Sequence, residues 1–462
     1  MDLNISRLFE EVVDNNFCIG CGVCAAIKGS PLKMSINNNG QYIPTVGESS
    51  SDMEINPLEV CPFSNSSKNE DEIGLSNFGD IYNINKSEYE GYYLKSFAGY
   101  VKEGGYRKNG SSGGMATWIA SQLLQRNLVD GIIHVKSSEG AMLFNYQISY
   151  SVDSLINGSK SKYYPVEMSE VIKKIKNGNK RYAIIGIPCF IKSLRLLASK
   201  DEILRKSLKY YIGLVCGHLK SEFFAKSIGL ELGILPDKLS DIDFRVKKEK
   251  EKANNYNVSV TSKDGSVIEE STKKLQTTNW GQGYFKYNAC EYCDDVLAET
   301  ADITIGDAWL PKYTKDSMGT NLIIVRNKKL LEIIEESSEK LLIEEISSKE
   351  VYTSQAGGFR HRREGLAYRL HLKDINNEIR PTKRVAPSNK VKYRRKRIYK
   401  LRLKLAEESF VAYKIAQSSG DFKKFQTHLS PLLNDYNQLM KPSVSEKIIK
   451  KIKYEFGKIS KK

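Results

Sequence analysis

The chain has 462 residues, 40% hydrophobic and 27% charged, a composition typical of a globular protein with room for two or three domains. No run of 18 or more apolar residues occurs, so we expect no membrane-spanning helix. The net charge of +16 lies wholly in residues 381–462, which hold 22 Lys and Arg against 6 Asp and Glu, so the remainder is neutral.

The N-terminal stretch MDLNISRLFEEVVDNN contains acidic residues and lacks a long apolar core. We therefore expect no secretory signal and a cytoplasmic protein. In that compartment, cysteines at short spacings are metal ligands more often than disulfides. The eight cysteines of the chain are accordingly candidate ligands.

Residues 1–64 are predicted to form a small, ferredoxin-like iron–sulfur module. In FCIGCGVCAA, cysteines recur at every third residue, which is the C-x₂-C-x₂-C spacing of bacterial ferredoxins. A fourth ligand is expected in EVCPF, because a cysteine followed by proline ends the ferredoxin pattern. Zinc is the alternative, although zinc motifs usually pair two C-x₂-C arms. The predicted ligands are Cys18, Cys21, Cys24 and Cys61.

The next elements predict an α/β core. Asn39-Gly40 is typical of a hairpin turn, and residues 65–94 are predicted to be a linker. Residues 95–345 alternate apolar strands with helices. Strands are predicted at 96–101, 131–135, 182–187, 210–215, 301–306 and 321–325, helices at 113–127 and 328–342, and a hairpin at Asp264-Gly265.

Four further cysteines fall within this core. Cys189 and Cys216 each follow a predicted strand, and parallel strands would bring both thiols to one carboxyl edge, where α/β sheets bind ligands. Cys290 and Cys293 form a C-x₂-C arm, which completes a set of four. The alternative is two buried core cysteines and a separate redox or zinc pair. Two clusters with four cysteine ligands each would use all eight cysteines of the chain.

A candidate phosphate-binding loop occupies YRKNGSSGGMATWIASQLL (106–124), which runs from a loop into a helix. Backbone N–H groups at a helix N-terminus favour an anion, and basic residues add charge for a diphosphate. The stretch is neither a Walker loop nor G-x-G-x-x-G, and a flexible loop with a good helix cap is the alternative. The candidate residues are Arg107, Gly110, Ser111, Ser112, Gly113 and Gly114.

Residues 346–380 are predicted to connect the core to a basic helical tail, 381–462. Aromatic residues are sparse around its densest part, KVKYRRKRIYKLRLK, so nucleic acid is not the expected partner. A helix of this kind is solvated, docks on an acidic partner or lies on anionic lipid. We predict a peripheral membrane contact that the redox chemistry does not need.

Together the motifs resemble the beta subunit of the deazaflavin (F420)-reducing hydrogenases and dehydrogenases. That family also includes ferredoxin-dependent 7-hydroxymethyl chlorophyll reductase and bacterial paralogues encoded with polysaccharide genes. The resemblance is carried, between residues 15 and 330, by C-I-G-C-G-V-C with C-P, S-S-G-G-M-A-T, G-I-P-C, G-L-V-C-G, C-E-Y-C-D-D and A-D-I-T-I-G-D-A-W. It implies an FAD-binding α/β domain with one or two 4Fe–4S clusters, the Ser111–Gly114 loop near the flavin, and an inner cluster on Cys189, Cys216, Cys290 and Cys293.

The expected protein is thus an iron–sulfur flavoprotein oxidoreductase. It would pass electrons from a ferredoxin-like donor through two 4Fe–4S clusters and FAD to an organic acceptor, a small molecule or a saccharide, in polysaccharide biosynthesis. The alternative is a zinc-stabilised scaffold or binding protein in a surface-glycan pathway, without turnover. We expect a cytoplasmic location, peripheral to the inner face of the membrane. No stretch matches a deazaflavin site closely enough to assign that substrate.

Overall fold

A computed structural model describes residues 2–47 and 52–442. The strands are β1 (Leu32–Ile36), β2 (Tyr42–Val46), β3 (Asn85–Ser87), β4 (Gly91–Tyr93), β5 (Lys95–Val101), β6 (Gly131–Ser137), β7 (Phe144–Ser149), β8 (Tyr182–Gly186), β9 (Leu208–Leu214), β10 (Leu239–Val246), β11 (Asn257–Ser262), β12 (Val267–Ser271), β13 (Ile303–Asp307), β14 (Asn321–Val325) and β15 (Leu341–Glu345).

The α-helices are α1 (Leu3–Leu8), α2 (Pro57–Val60), α3 (Glu70–Phe78), α4 (Tyr106–Asn109), α5 (Met115–Gln125), α6 (Val152–Asn157), α7 (Ser169–Lys176), α8 (Pro188–Ala198), α9 (Glu202–Ser207), α10 (Phe223–Glu231), α11 (Lys328–Glu336), α12 (Ser348–Ser354), α13 (Ala356–Arg360), α14 (Leu366–Ile375), α15 (Tyr393–Ser419) and α16 (Phe422–Met440). Short 3₁₀ turns lie at Cys24–Ala26, Asn288–Tyr292 and Ser338–Lys340, and π-helical turns at Phe9–Val13 and His361–Gly365.

The centre of the molecule is an eight-stranded mixed sheet in the order β15-β5-β14-β13-β9-β8-β6-β7, which confirms the predicted α/β class. Its neighbours β6, β8, β9 and β13 are parallel, as expected of the apolar runs that form them. The pairing of Ile185 with Ile212 and of Gly186 with Gly213 brings the ends of β8 and β9 level. The predicted arrangement of these two strands is therefore confirmed.

Both predicted hairpins are confirmed. β1 and β2 pair antiparallel around Gly40, at φ +64°, and β11 and β12 pair around Gly265, at φ +86°. The helix predicted at 328–342 ends at Glu336, because residues 341–345 pair with β5 as β15.

Residues 65–94, predicted as a linker, instead contain α3 and the β3–β4 hairpin. An Asn69–Glu72 capping box starts α3, and the Glu70 carboxylate forms a buried ion pair, 3.1 Å long, with Lys192 on α8. The polar composition of the segment reflects caps and ion pairs, not exposure of the whole segment.

The cysteine-bearing N-terminal residues share one core with the central sheet. Phe17 packs edge-on against Tyr292 with ring centroids 5.0 Å apart, and the Tyr42 N–H donates to Tyr287 Oη at 2.9 Å. The Met168 N–H donates to the Cys21 carbonyl at 2.9 Å. The N-terminal residues therefore pack directly against the central domain.

The described part of the basic tail is helical from Tyr393 to Ser419 and from Phe422 to Met440, and it packs against the core of the protein. Helix α15 buries Leu405 and Tyr413 completely, and Ser409 Oγ accepts a hydrogen bond of 2.9 Å from the Phe285 N–H. Because the helix contains many charged residues, its apolar face is hard to recognise in the sequence. Removal of residues 381–462 would expose core residues to solvent. Residues 443–462 of the predicted tail lie outside the described residues.

Among the described residues, no helix is both long enough and apolar enough to span a bilayer.

Candidate functional site

The outer cysteine group, Cys18, Cys21, Cys24 and Cys61, is assembled by a tight loop and the end of α2. Gly20 and Gly22 adopt φ values of +66° and +80°, which glycine tolerates and which let the loop wind round its own thiols. The Gly20 N–H donates to Cys18 Sγ at 3.3 Å. Burial raises the pKa of Cys24, and the nearby thiols of the other three group members raise it further. The four predicted ligands therefore lie together.

The inner cysteine group, Cys189, Cys216, Cys290 and Cys293, lies at the carboxyl edge of the parallel strands. Cys189 is in the first turn of α8 directly after β8, and Cys216 follows β9. Cys290 lies in the 3₁₀ turn Asn288–Tyr292, and its Sγ accepts a 3.3 Å hydrogen bond from the Leu219 N–H. Burial and then the thiols of Cys293, Cys216 and Cys290 raise the pKa of Cys189.

The chemistry of both donor sets fits an iron–sulfur cluster. Burial raises the pKa of all eight thiols, to about 12 for Cys21 and Cys216 and to about 11 for Cys290. One cysteine of each group is buried and three are partly exposed. Four adjacent thiols cannot all ionise unless a cationic centre binds them, and N–H···S hydrogen bonds are a feature of cluster sites. Within residues 2–47 and 52–442, no group of three or more His, Cys, Asp or Glu is arranged to hold a single metal ion.

The two cysteine groups are neighbours. The Cys21 thiol of the outer group contributes to the raised pKa of Cys189 in the inner group. Tyr146 lies near both groups. Burial raises the pKa of its hydroxyl, and the thiols of Cys189 and Cys21 raise it further. Ser193, on the same helix as Cys189, is close enough to the Cys21 thiol to lower its pKa, although burial outweighs this effect. Helix α8 thus connects one group to the other.

A cavity of about 870 Å³ opens beside the inner group, and Cys216 is part of its wall. Its size is within the range of cofactor sites. The predicted loop lines it through Gly110, Ser111, Ser112 and Gly114, followed by the start of α5. Basic and aromatic side chains line part of the remainder, namely Lys160, Lys162, Lys220, Arg245, Tyr146, Tyr163, Tyr164, Tyr256, Trp280 and Trp309.

The loop forms an anion cradle at the start of α5. Gly114 caps the helix at φ +87°, a conformation that other residues rarely adopt. The Met115 N–H donates to Asn321 Oδ1 at 3.0 Å. The N–H groups of Ala116 and Thr117, in the first turn of α5, have no intrahelical acceptor. Both residues line the cavity. The cradle and the cations fit a diphosphate, and the aromatic walls fit a planar ring system.

Two residues predicted to contact the cofactor are engaged elsewhere. Arg107 is absent from the cavity wall, and its guanidinium pairs with Asp316 at 2.7 Å and donates to the Gly319 carbonyl at 2.8 and 3.1 Å. Gly113 is absent from the cavity wall. A Cβ at Gly113 would meet the Gly99 carbonyl and Asn321 Oδ1 at 2.7 Å, so sheet packing explains this glycine.

Arg245 is the main site residue that sequence reasoning missed. It is 5% exposed, pairs with Asp307 at 3.0 Å and donates to the Ser111 carbonyl at 3.1 Å. Its guanidinium also lies 4.5 Å from the centre of the Tyr256 ring. Arg245, and not Arg107, is thus the arginine in the cavity wall. Asp307, at the end of the A-D-I-T-I-G-D-A-W motif, was the one signal pointing to this position.

Comparison with known proteins gives two adjoining matches to one family, Coenzyme F420 hydrogenase/dehydrogenase. The model for the N-terminal part of its beta subunit matches residues 96–173, and the model for the C-terminal part matches residues 179–350. The two matches together span more than half of the chain. They include the anion cradle, most of the cavity wall and the inner cysteine group.

Individual relatives are distant. An uncharacterized protein of Methanocaldococcus jannaschii is 23% identical over 360 residues, which are 70% of this chain and 87% of the relative. The Coenzyme F420-dependent sulfite reductase of that organism is 25% identical over 337 residues. That match covers 70% of this chain and 46% of the reductase, so the chain spans less than half of that enzyme.

The fold also has a solved counterpart. A xenon-derivatized structure of the F420-reducing NiFe hydrogenase complex from Methanosarcina barkeri aligns with a TM-score of 0.50 at 14% identity. The alignment covers 64% of this chain and 99% of that chain, and it shows a shared fold. On the two family matches, the chain belongs to the coenzyme F420 hydrogenase/dehydrogenase beta subunit family, a family of oxidoreductase subunits.

Proposed function

We propose that the protein is an iron–sulfur flavoprotein oxidoreductase that passes electrons between a ferredoxin-like donor and an organic acceptor. The observation that carries this proposal is the series of neighbouring sites from the outer cysteine group to the inner cysteine group and on to the cavity. Each group has the four thiols that a 4Fe–4S cluster requires. The order of the sites defines a path for electrons.

FAD is the cofactor that we assign to the cavity. The N-terminus of α5 would hold its diphosphate, with Arg245 and Lys160 as nearby cations, and aromatic side chains such as Tyr163 and Trp280 would enclose its rings. A bound flavin exchanges single electrons with clusters and electron pairs with organic molecules. The protein's own part is to exclude water and to fix the loop, which Arg245 does through the Ser111 carbonyl.

The acceptor is expected to be a polar organic molecule, because basic, hydroxyl and amide side chains line part of the cavity. Two of the similar proteins are named for coenzyme F420. A deazaflavin is therefore a candidate acceptor, together with saccharides and other small molecules. A role in polysaccharide biosynthesis and a membrane contact of the tail stay predictions.

The order of electron transfer is tested by Cys61→Ala. We expect this variant to lose the outer cluster and ferredoxin-driven flavin reduction, while the inner-cluster spectrum and bound flavin persist. Stopped-flow absorbance under anaerobic conditions follows the flavin directly. Unchanged flavin reduction by ferredoxin in Cys61→Ala would contradict the proposed path.

The position of the flavin is tested at Ala116, beside the free N–H groups of α5. Ala116→Asp adds a negative charge where we place the diphosphate, and Ala116→Asn adds the same volume without the charge. We expect the Asp variant to retain less flavin, at least tenfold weaker in affinity, than the Asn variant. Equal retention by the two variants would place the diphosphate elsewhere.

A further inference from the structure

Arg362 lies beyond the family matches, which end at residue 350, in a segment for which the sequence predicted only a connection. It belongs to the π-helical turn His361–Gly365, an irregularity that is frequent at functional sites. The two residues Gly357 and Gly358, just before this turn, line the cavity. The segment that contains Arg362 therefore contributes residues to the cavity wall.

The Arg362 side chain points into the protein and is held beside the inner cysteine group. The residue is 1% exposed, and its Nη2 donates to the Gly217 carbonyl at 3.0 Å. Gly217 directly follows the cluster ligand Cys216 and also lines the cavity. Arg362 Nε has no hydrogen-bond partner among the described residues.

No carboxylate in the described part of the chain forms an ion pair with Arg362. By contrast Arg369, buried to the same degree, pairs with Glu291 at 3.1 Å. A buried charge without a partner is strongly unfavourable, so the site must supply an anion. The bond to the Gly217 carbonyl holds the guanidinium one residue from the ligand Cys216. The inner cysteine group is therefore the anion that we assign to this arginine.

We propose that Arg362 is the counter-charge of the inner iron–sulfur cluster and raises its reduction potential, an inference that rests on the proposed function. Reduction adds one electron, supplied by the ferredoxin-like donor, and hence one negative charge to the cluster. The adjacent guanidinium stabilises that charge while keeping its own proton, so no proton moves. The arginine makes the inner cluster a better acceptor for electrons arriving from the outer one.

The test is an anaerobic redox titration followed by electron paramagnetic resonance. It is made in a Cys61→Ala background so that the inner cluster gives the remaining iron–sulfur signal. Arg362→Gln should shift the one-electron equilibrium toward the oxidised cluster at least tenfold, which is about 59 mV lower. Arg362→Lys keeps the charge and should stay closer to the unsubstituted value. Arg195→Gln is the control, since the Arg195 side chain is 13% exposed and pairs with Asp302 at 3.0 Å.

Each outcome decides the inference. An unchanged potential in Arg362→Gln, or an equal fall in Arg195→Gln, would overturn the counter-charge role alone. If the Gln variant loses the inner cluster while the Lys variant retains it, the role is supported through cluster retention, and loss from both variants would reject charge as the cause. Absence of the inner cluster from the unsubstituted protein would overturn the proposed function as well.

Discussion

Replacement of Glu291 should destabilise the protein at the C-x₂-C arm of the inner group. Glu291 lies between Cys290 and Cys293, is 2% exposed, and faces three basic side chains. It forms ion pairs with Lys286 and with Arg369 at 3.1 Å, and His361 Nε2 lies 3.2 Å from its carboxylate. Burial opposes ionisation, but these bases outweigh it and hold the pKa of Glu291 well below its usual range.

Glu291→Gln keeps the shape and removes the charge, which leaves buried cations without their anion. Removing one partner of a buried ion pair costs about 3–5 kcal/mol, and about 3 kcal/mol is a more than hundredfold change in the unfolding equilibrium. Urea denaturation under anaerobic conditions measures the loss. We also expect less iron in the inner group, because the peptide that carries two of its ligands is no longer anchored.

Glu335→Gln is the matched control. Glu335 is 51% exposed and pairs with Lys95, and exposed pairs of this kind contribute at most about 1 kcal/mol. If Glu291→Gln and Glu335→Gln destabilise the protein equally, the buried network does not carry the stabilisation that we assign to it.

Three further substitutions test other parts of the structure. Burial and nearby lysines lower the pKa of His134 from 6.5 to about 4. Between these two pH values, this histidine is protonated in the unfolded chain and neutral in the folded chain. Acidification from pH 7 to pH 5 should therefore cost about 2 kcal/mol of stability through this residue, and His134→Asn should remove that slope from denaturation curves. Gly113→Ala places a Cβ 2.7 Å from two oxygens and should destabilise by about 1–3 kcal/mol, whereas Gly178→Ala, with no atom within 4 Å, should be tolerated in thermal unfolding. Leu405→Ala should cost about 2–5 kcal/mol in urea denaturation because Leu405 is fully buried, and Val411→Ala, at a side chain 44% exposed on the same helix, should cost much less.

Local patterns predicted the elements that depend on local chemistry. Asn39-Gly40 marked a real hairpin because the turn itself requires positive φ. The apolar runs before Cys189 and Cys216 marked parallel strands, and that pairing brought both cysteines to one edge of the sheet.

The predictions for Arg107 and for the basic tail were incomplete because the positions of these side chains depend on residues far away in the sequence. Asp316, 209 residues away in sequence, takes Arg107 out of the predicted cradle, and Arg245 reaches it from β10. The basic composition of α15 hid Tyr413, whose buried position depends on packing against Phe223, with ring centroids 4.5 Å apart. No local spacing rule indicates such contacts.

Metal and flavin analysis of the anaerobically purified full chain tests the central claim most directly. Two complete cysteine groups and one cavity predict close to eight irons and one noncovalently bound FAD per chain, with a brown protein whose visible spectrum bleaches on reduction. Stoichiometric zinc without iron or flavin would contradict the claim and support a zinc-stabilised scaffold instead.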